Sequence, residues 1–168
     1  MKLGIMYQRA LILVLVTLSL LGCSKNPQDQ ARDKLVGELG VAWTPAEFLE
    51  AAKNGNDVVV ALFLEGGIDS ETEDPAGRTA LILATQGGHA STVTTLLDKG
   101  ADANDTDNDG KTALIWACEQ NQSAVLLALL AKGVDVNVKA TDGTTALSAA
   151  EKRGDAETAK LLKEHGAT

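Results

Sequence analysis

Aromatic side chains are scarce in this 168-residue chain: two Trp, two Phe and one Tyr, 3% of the whole. So few large rings serve a sheet core poorly, whereas abundant Ala and Leu suit short helices stacked closely together. Positive charge is short as well, with 15 Lys and Arg against 23 Asp and Glu for a net charge of −8. That balance argues against nucleic acid or an anionic lipid surface as a partner, because both select basic patches. The chain has only two histidines, His89 and His165, and two cysteines, Cys23 and Cys118. No His, Glu or Asp pair has the spacing of a zinc site. Neither a Gly-x-Ser-x-Gly elbow nor a phosphate-binding glycine loop occurs. No enzyme activity, cofactor or metal is expected.

A long membrane-spanning run is also missing. The apolar stretch Ala10 to Leu21, broken only by Thr17 and Ser19, is shorter than the ~20 residues a bilayer requires. Lys2 and Arg9 precede it and Leu20-Leu21-Gly22-Cys23 follows, the order of an export signal. The ending resembles a bacterial lipoprotein lipobox, although Leu21 stands where that family more often has Ala, Ser or Thr. The resemblance implies a signal peptide over 1–22, lipidation at Cys23 and anchoring to a membrane. Ser24, rather than the Asp of inner-membrane retention, implies the outer membrane, facing the periplasm. Losing Lys2 and Arg9 with the signal takes the net charge from −8 to −10. Residues 23–42 read as a polar tether, with a short helix around Ala31 to Leu39. A flexible segment of that length reaches roughly 20–25 Å.

Beyond the tether, glycines recur at a fixed interval of 33 residues: Gly67, Gly100, Gly133 and Gly166. Gly77, Gly110 and Gly143 keep the same interval, each followed by Thr79, Thr112 or Thr145, and so do Phe48, Leu81, Leu114 and Leu147. The first glycine series suits helix ends and the second suits tight turns. The threonines can cap helices. At the first unit, Thr44-Pro45-Ala46-Glu47 has the pattern of a capping box. Four repeats follow, at about 44–73, 74–106, 107–139 and 140–168. Lys163 replaces the apolar residue found at Leu97 and Leu130, as expected where no further repeat stacks.

Together the turn, helix and closing motifs resemble ankyrin repeats, over Thr44 to Ala167. The resemblance implies an all-α solenoid of helix-turn-helix units joined by β-turns, with an extended face that binds protein. One departure is consistent: Thr79-Ala80-Leu81-Ile82 and Thr112-Ala113-Leu114-Ile115 lack the histidine common in that family. Stability must then rest more on apolar packing, and Ile82 and Ile115 are expected partly on the concave side. His89 and His165 take structural roles, the first at the start of a second helix and the second beside a helix end. By analogy with the family, contacts to a partner protein fall on Arg78, Gln86, Asn108, Asp109, Lys111, Glu119, Gln120, Thr141, Asp142, Thr144, Lys152 and Arg153. Trp116 either packs between repeats or joins that face. Trp43 covers the end of repeat one.

Asp105 to Gly110 opens like a calcium loop, but Trp116 stands at the twelfth position, where such a loop needs Glu. Asp and Asn favour turns in any case. Cys118, beside Ala117 on a repeat helix and with no base in view, reads as packing. The functional reading is a monomeric, membrane-anchored module for protein–protein interaction in the bacterial envelope. The alternative is an inhibitor or immunity-type protein that neutralises an exported enzyme or toxin.

Overall fold

The computed structural model describes residues 26–168. The expected export signal and Cys23 lie outside them. α1 (Pro27–Asp33) runs into a single π-helical turn, Lys34–Glu38. Four helix pairs follow: α2 (Pro45–Lys53) with α3 (Asp57–Glu65), α4 (Ala80–Gln86) with α5 (Ala90–Asp98), α6 (Ala113–Glu119) with α7 (Ser123–Ala131), and α8 (Ala146–Arg153) with α9 (Ala156–Glu164). Extended pairing among the described residues is confined to isolated bridges, Glu73 with Thr79 and Thr106 with Thr112. The architecture is the all-helical repeat array expected from the 33-residue period. No helix among these residues is long and apolar enough to cross a membrane.

Threonine starts each inner helix. The Oγ1 atoms of Thr44, Thr79, Thr112 and Thr145 accept the N–H of Glu47, Ile82, Ile115 and Ser148 at 3.1–3.4 Å. The reciprocal box forms at Thr145, where Ser148 Oγ accepts the Thr145 N–H at 2.9 Å, rather than at Thr44. Between the helices of a pair the chain reverses through a left-handed residue. Gly55, Gly88 and Gly154 supply it in three repeats, and Asn121 does so in the third at φ 59°. Asn tolerates this conformation better than most side chains.

Inner helices α2, α4, α6 and α8 pack in one row, and α3, α5 and α7 pack in a second. Phe48, Leu81 and Leu114 are essentially fully buried between the rows, with Leu147 behind them near the end. Ile82 and Ile115 do not reach the concave side. They are 0% and 1% exposed, because the following repeat covers them and apolar packing takes over the missing histidine's place. Ser148 holds that position in the fourth repeat, and it is exposed.

Each repeat also caps the one before it. The carbonyls of Lys53, Gln86 and Glu119, 33 residues apart at the ends of three inner helices, receive side chains from the next unit. His89 Nε2 lies 3.0 Å from the first, Gln122 Nε2 donates to the second at 3.5 Å, and Arg153 donates to the third at 2.7 Å. Asp155 is the register mate of His89 and Gln122 but is an acceptor, so Arg153 serves from two residues earlier. The His89 ring sits so close that a Cβ on Gly55 or Gly87 would come within 2.4 Å of it. His165 Nδ1 lies 2.9 Å from the Leu161 carbonyl in the last turn of its own helix.

Ion pairs join the outer helices at the first two joints, Lys99 to Glu65 and Lys132 to Asp98. Exposed pairs of this kind contribute about 0–1 kcal/mol each. At the third joint the same positions hold Ala131 and His165, and the pair is lost. There α9 stands off from α7, leaving a groove of about 450 Å³ bordered by Leu126, Leu127 and Leu161.

The N-terminal segment contains the short helix expected around Ala31 to Leu39, begun earlier at Pro27, but it is docked rather than a free tether. Residues 27–38 are helical and lie against α3, with Ala31 and Leu35 buried at 5% and 0% exposure. Asn26 caps α1 by accepting the Asp29 N–H at 2.8 Å. Arg32 Nε donates to the Gly66 carbonyl at 3.0 Å while its guanidinium lies 5.0 Å from the Trp43 ring centre. Trp43 in turn packs on Phe63, with ring centres 4.9 Å apart. Trp43 therefore covers the end of repeat one, as expected, and α1 adds a second layer over it.

Two measurements test this packing. Leu35→Ala is expected to lower unfolding stability by about 2–4 kcal/mol and to open residues 27–40 to limited proteolysis; an undocked segment would show neither change. The hydroxyls of Thr85 and Thr92 are buried without a hydrogen-bond partner. Val59 and Val125 are the register mates of Thr92, so Thr92→Val should raise stability by about 1 kcal/mol in urea unfolding.

Candidate interaction surface

Hairpin tips between the repeats project the candidate residues, and aspartate shapes the first two tips. Asp74 Oδ1 accepts the N–H of Ala76 at 2.9 Å and of Arg78 at 3.0 Å. Asp107 Oδ1 repeats the pattern with Asp109 at 3.0 Å and Lys111 at 2.9 Å. Ala140 holds the equivalent place in the third tip, and Asp142 accepts the Thr144 N–H at 2.8 Å instead. Burial pushes the Asp74 carboxyl up, but hydrogen bonds from the Arg78 side chain and from the backbone of Arg78 and Ala76 outweigh it and hold it below its ordinary value. The backbone bond from Thr144 lowers Asp142 in the same way.

Adjacent tips are stitched together. Asn108 N–H donates to the Ala76 carbonyl at 3.0 Å, and Asn108 Nδ2 donates to the Pro75 carbonyl at 3.2 Å. Thr141, its register mate, donates to the Asp109 carbonyl from N–H at 2.9 Å and from Oγ1 at 2.8 Å. Gly77 makes the first stitch possible. Its φ is 72°, and a Cβ there would stand 2.5 Å from Asn108 Oδ1. Asn108 and Thr141, expected to touch a partner, thus align the tips that present other residues.

Behind the tips lie two braced clusters. Arg78 donates to Asp74 Oδ2 from Nε at 2.9 Å and Nη2 at 2.6 Å, and Nη1 reaches Gln86 Oε1 at 3.1 Å. One repeat later, Lys111 Nζ bonds both Glu119 carboxylate oxygens at 2.8 Å. Hydrogen bonding to Glu119 raises the Lys111 ammonium above its ordinary value against the opposing effect of burial. The same ammonium lies 4.7 Å from the Trp116 ring centre, and Trp116 Nε1 donates to Asp107 Oδ2 at 2.8 Å. Trp116 is partly buried against the core, the packing expected of it, and is clamped beneath the Lys111 cation.

Exposure sorts the remaining candidates. Lys111 has 17% of its side-chain surface exposed and Arg78 36%, so they support the face more than they project from it. Thr144 is half-buried. Asp109, Gln120, Asp142 and Lys152 are exposed; Asp109 bonds Asp107, and the Gln120 N–H bonds the Trp116 carbonyl. Arg153 is exposed too, but its Nη1 serves the joint with Glu119.

Sequence reasoning missed Asp74 and Asp107 as the residues that orient everything else, although their 33-residue spacing was visible. It also missed a cleft of about 340 Å³ between the first two repeats, bordered by Pro45, Leu49, Lys53, Arg78 and Leu83. Repeat one departs from the pattern of the others, so the period does not disclose this cleft.

The expected inertness of Cys118 has a physical basis: burial pushes its thiol up to about 12, so the nucleophilic thiolate is not formed near neutral pH. Asp107 Oδ1 accepts from the Asp109 and Lys111 amides and Oδ2 from Trp116, so the carboxylate serves the turn and the indole. Among the described residues, no three His, Cys, Asp or Glu side chains gather where they could hold a metal ion.

Asp107→Ala removes three hydrogen bonds, the Trp116 anchor among them, and is expected to cost about 2–3 kcal/mol. It should also shift tryptophan emission to longer wavelength. Asp142→Ala, at the exposed third tip, should cost under about 1 kcal/mol and leave the emission unchanged. Urea unfolding followed by fluorescence separates the two.

A search of curated proteins finds no match to this chain. A family model described as ankyrin repeats in three copies matches residues 48–140, more than half of the 168 positions. With its repeat geometry and this match, the chain belongs to the ankyrin-repeat family.

Proposed function

We propose that this protein is a lipid-anchored, monomeric ankyrin module of the bacterial envelope, which binds another protein on its hairpin tips and inner-helix face without cofactor or catalysis. Ankyrin repeats are protein–protein interaction modules, and the observation that carries the reading here is the Trp116 cluster. An aromatic side chain held in place by Asp107 and Lys111, with the exposed Asp109 and Gln120 bonded beside it, loses little freedom when a partner docks. Large rigid side chains within a polar border are what tight interfaces concentrate.

The anchoring part of the proposal rests on the lipobox-like Leu20-Leu21-Gly22-Cys23 and the apolar run before it. Residues 24–26 separate Cys23 from the first residue of α1. Fully extended, those residues span on the order of 10 Å. That is well short of the reach expected of a flexible 23–42 segment. A lipid on Cys23 would hold repeat one close to the outer membrane, and confinement to that layer would raise the effective concentration of partners there.

Photo-crosslinking in living cells tests the interaction, with the probe at Asp109 or Gln120 and a control probe at Leu127 on α7. The expected result is one dominant envelope protein captured from the first two positions and not from Leu127. Equal capture from Leu127, or no specific product from either surface position in exported and folded protein, would sink the reading.

A further inference from the structure

Among the described residues four large apolar side chains are exposed, and three of them belong to the N-terminal end of the array. Val36 is 51% exposed on the π-helical turn, Leu39 47% just beyond it, and Val58 58% at the start of α3. The fourth, Leu127, lies on α7.

The register shows which way Val58 faces. Its mates in the later repeats are Ser91, Ala124 and Glu157, none of them large and apolar. Ser91 Oγ reaches back to Asp57 Oδ2 of the preceding repeat at 3.4 Å, so this position looks toward the unit before it. In repeat one that side belongs to α1 and its π-helical turn, both packed on α3. Arg32 Nε meets the Gly66 carbonyl just past the end of α3, and a Cβ on Gly67 would come within 2.8 Å of Gln28. From there the π-helical turn runs back along α3 toward Val58. Gly66 and Val58 are about 12 Å apart along that helix, and the turns from Arg32 to Leu39 cover about 10 Å. Leu35 is buried in this contact, whereas Val36 and Leu39 face solvent.

We propose that Val36, Leu39 and Val58 form a membrane-facing patch, which seats the N-terminal end of the array on a phospholipid surface of no net charge. The inference rests on the reading of Cys23 as a lipid anchor. Residues 24–26 alone separate Cys23 from α1, about 10 Å when extended, so a lipid there brings this end of the array to the bilayer before any other. Three half-exposed aliphatic side chains hold a protein to lipid only weakly, but beside an acyl anchor they supply a second signal that fixes orientation. The charges near the patch decide the kind of lipid. Glu38 and Asp57 are the sequence neighbours of Leu39 and Val58, and Asp33 and Lys34 precede Val36. That acidic excess opposes an anionic surface and leaves a neutral one accessible. The far end of the array offers no such patch, since Ser148, Glu151, Lys160 and Lys163 are its exposed residues. Seated this way, the array carries its third and fourth repeats, with Trp116, away from the lipid and open to a partner from the side.

Protein exported and matured in cells, then reconstituted in phosphatidylcholine vesicles that carry a photoreactive acyl chain, tests the patch. Peptide mass spectrometry maps the crosslinked lipid and also reports whether Cys23 is acylated. The expected result is at least ~10-fold more lipid on peptides holding Val36, Leu39 or Val58 than on the one holding the comparably exposed Leu127. Val36→Asp combined with Leu39→Asp should remove that labelling while keeping the acylated Cys23 and the wild-type urea midpoint. Acylated protein labelled no more at the patch than at Leu127 overturns this inference and leaves the anchor standing. Cys23 without lipid overturns the anchor and this inference together. A reconstituted protein that pairs with a second copy through the patch, and so excludes lipid from it, also overturns the inference.

Discussion

No repeat in this chain can bury its inner helix without the next repeat, and the rest of the structure follows from that dependence. Ile82 and Ile115 lose all but a trace of their exposure only because another unit covers them. The carbonyls at the ends of α2, α4 and α6 find donors only in the following repeat. Burial supplies most of the energy, since a fully buried aliphatic side chain contributes about 1.5–3 kcal/mol. The hydrogen bonds add register, because a donor 33 or 34 residues away meets its acceptor in only one alignment. Stacking of this kind leaves hairpin tips and one helix row free of the packing task. The interaction surface is what remains.

The first and fourth repeats finish the described array differently. At the C-terminal end the sequence itself turns polar: Ser148 replaces isoleucine, Lys163 replaces leucine, and Lys163 pairs with Glu151 at 2.8 Å. At the N-terminal end repeat one keeps an apolar surface, and a separate element covers it. Trp43, Phe63 and Phe48 form an aromatic layer there, and α1 closes over it through Ala31, Arg32 and Leu35. Gly66 admits this closure, since a Cβ on it would come within 2.2 Å of the Trp43 ring.

Much of the array was legible because its local signals recur in phase. Threonine at the start of each inner helix and glycine at each left-handed turn have conformational reasons that operate before any tertiary contact forms. Asn121, standing where the other repeats have glycine, kept the left-handed turn that the register assigned to it. Residues 27–38 were harder to read. Their scattered apolar residues look like a tether in isolation, and only the surface offered by Trp43 and α3 makes Ala31 and Leu35 a docking face. The site residues divide in the same way. Asn108, Thr141 and Arg153 look like solvent-facing polar groups in sequence, but neighbouring carbonyls claim them in the fold.

The sequence by itself determined the repeat length, the helix starts, the turn residues and the point where stacking ends, because these depend on backbone preferences within one 33-residue unit. Tertiary structure decided which polar side chains became joints and which stayed exposed. It placed Trp116 between Asp107 and Lys111, docked α1 over Trp43, and set Glu71 against the Asp102 amide. Each of these outcomes depends on which atoms a neighbouring element brings within about 3–5 Å, and no local preference encodes that.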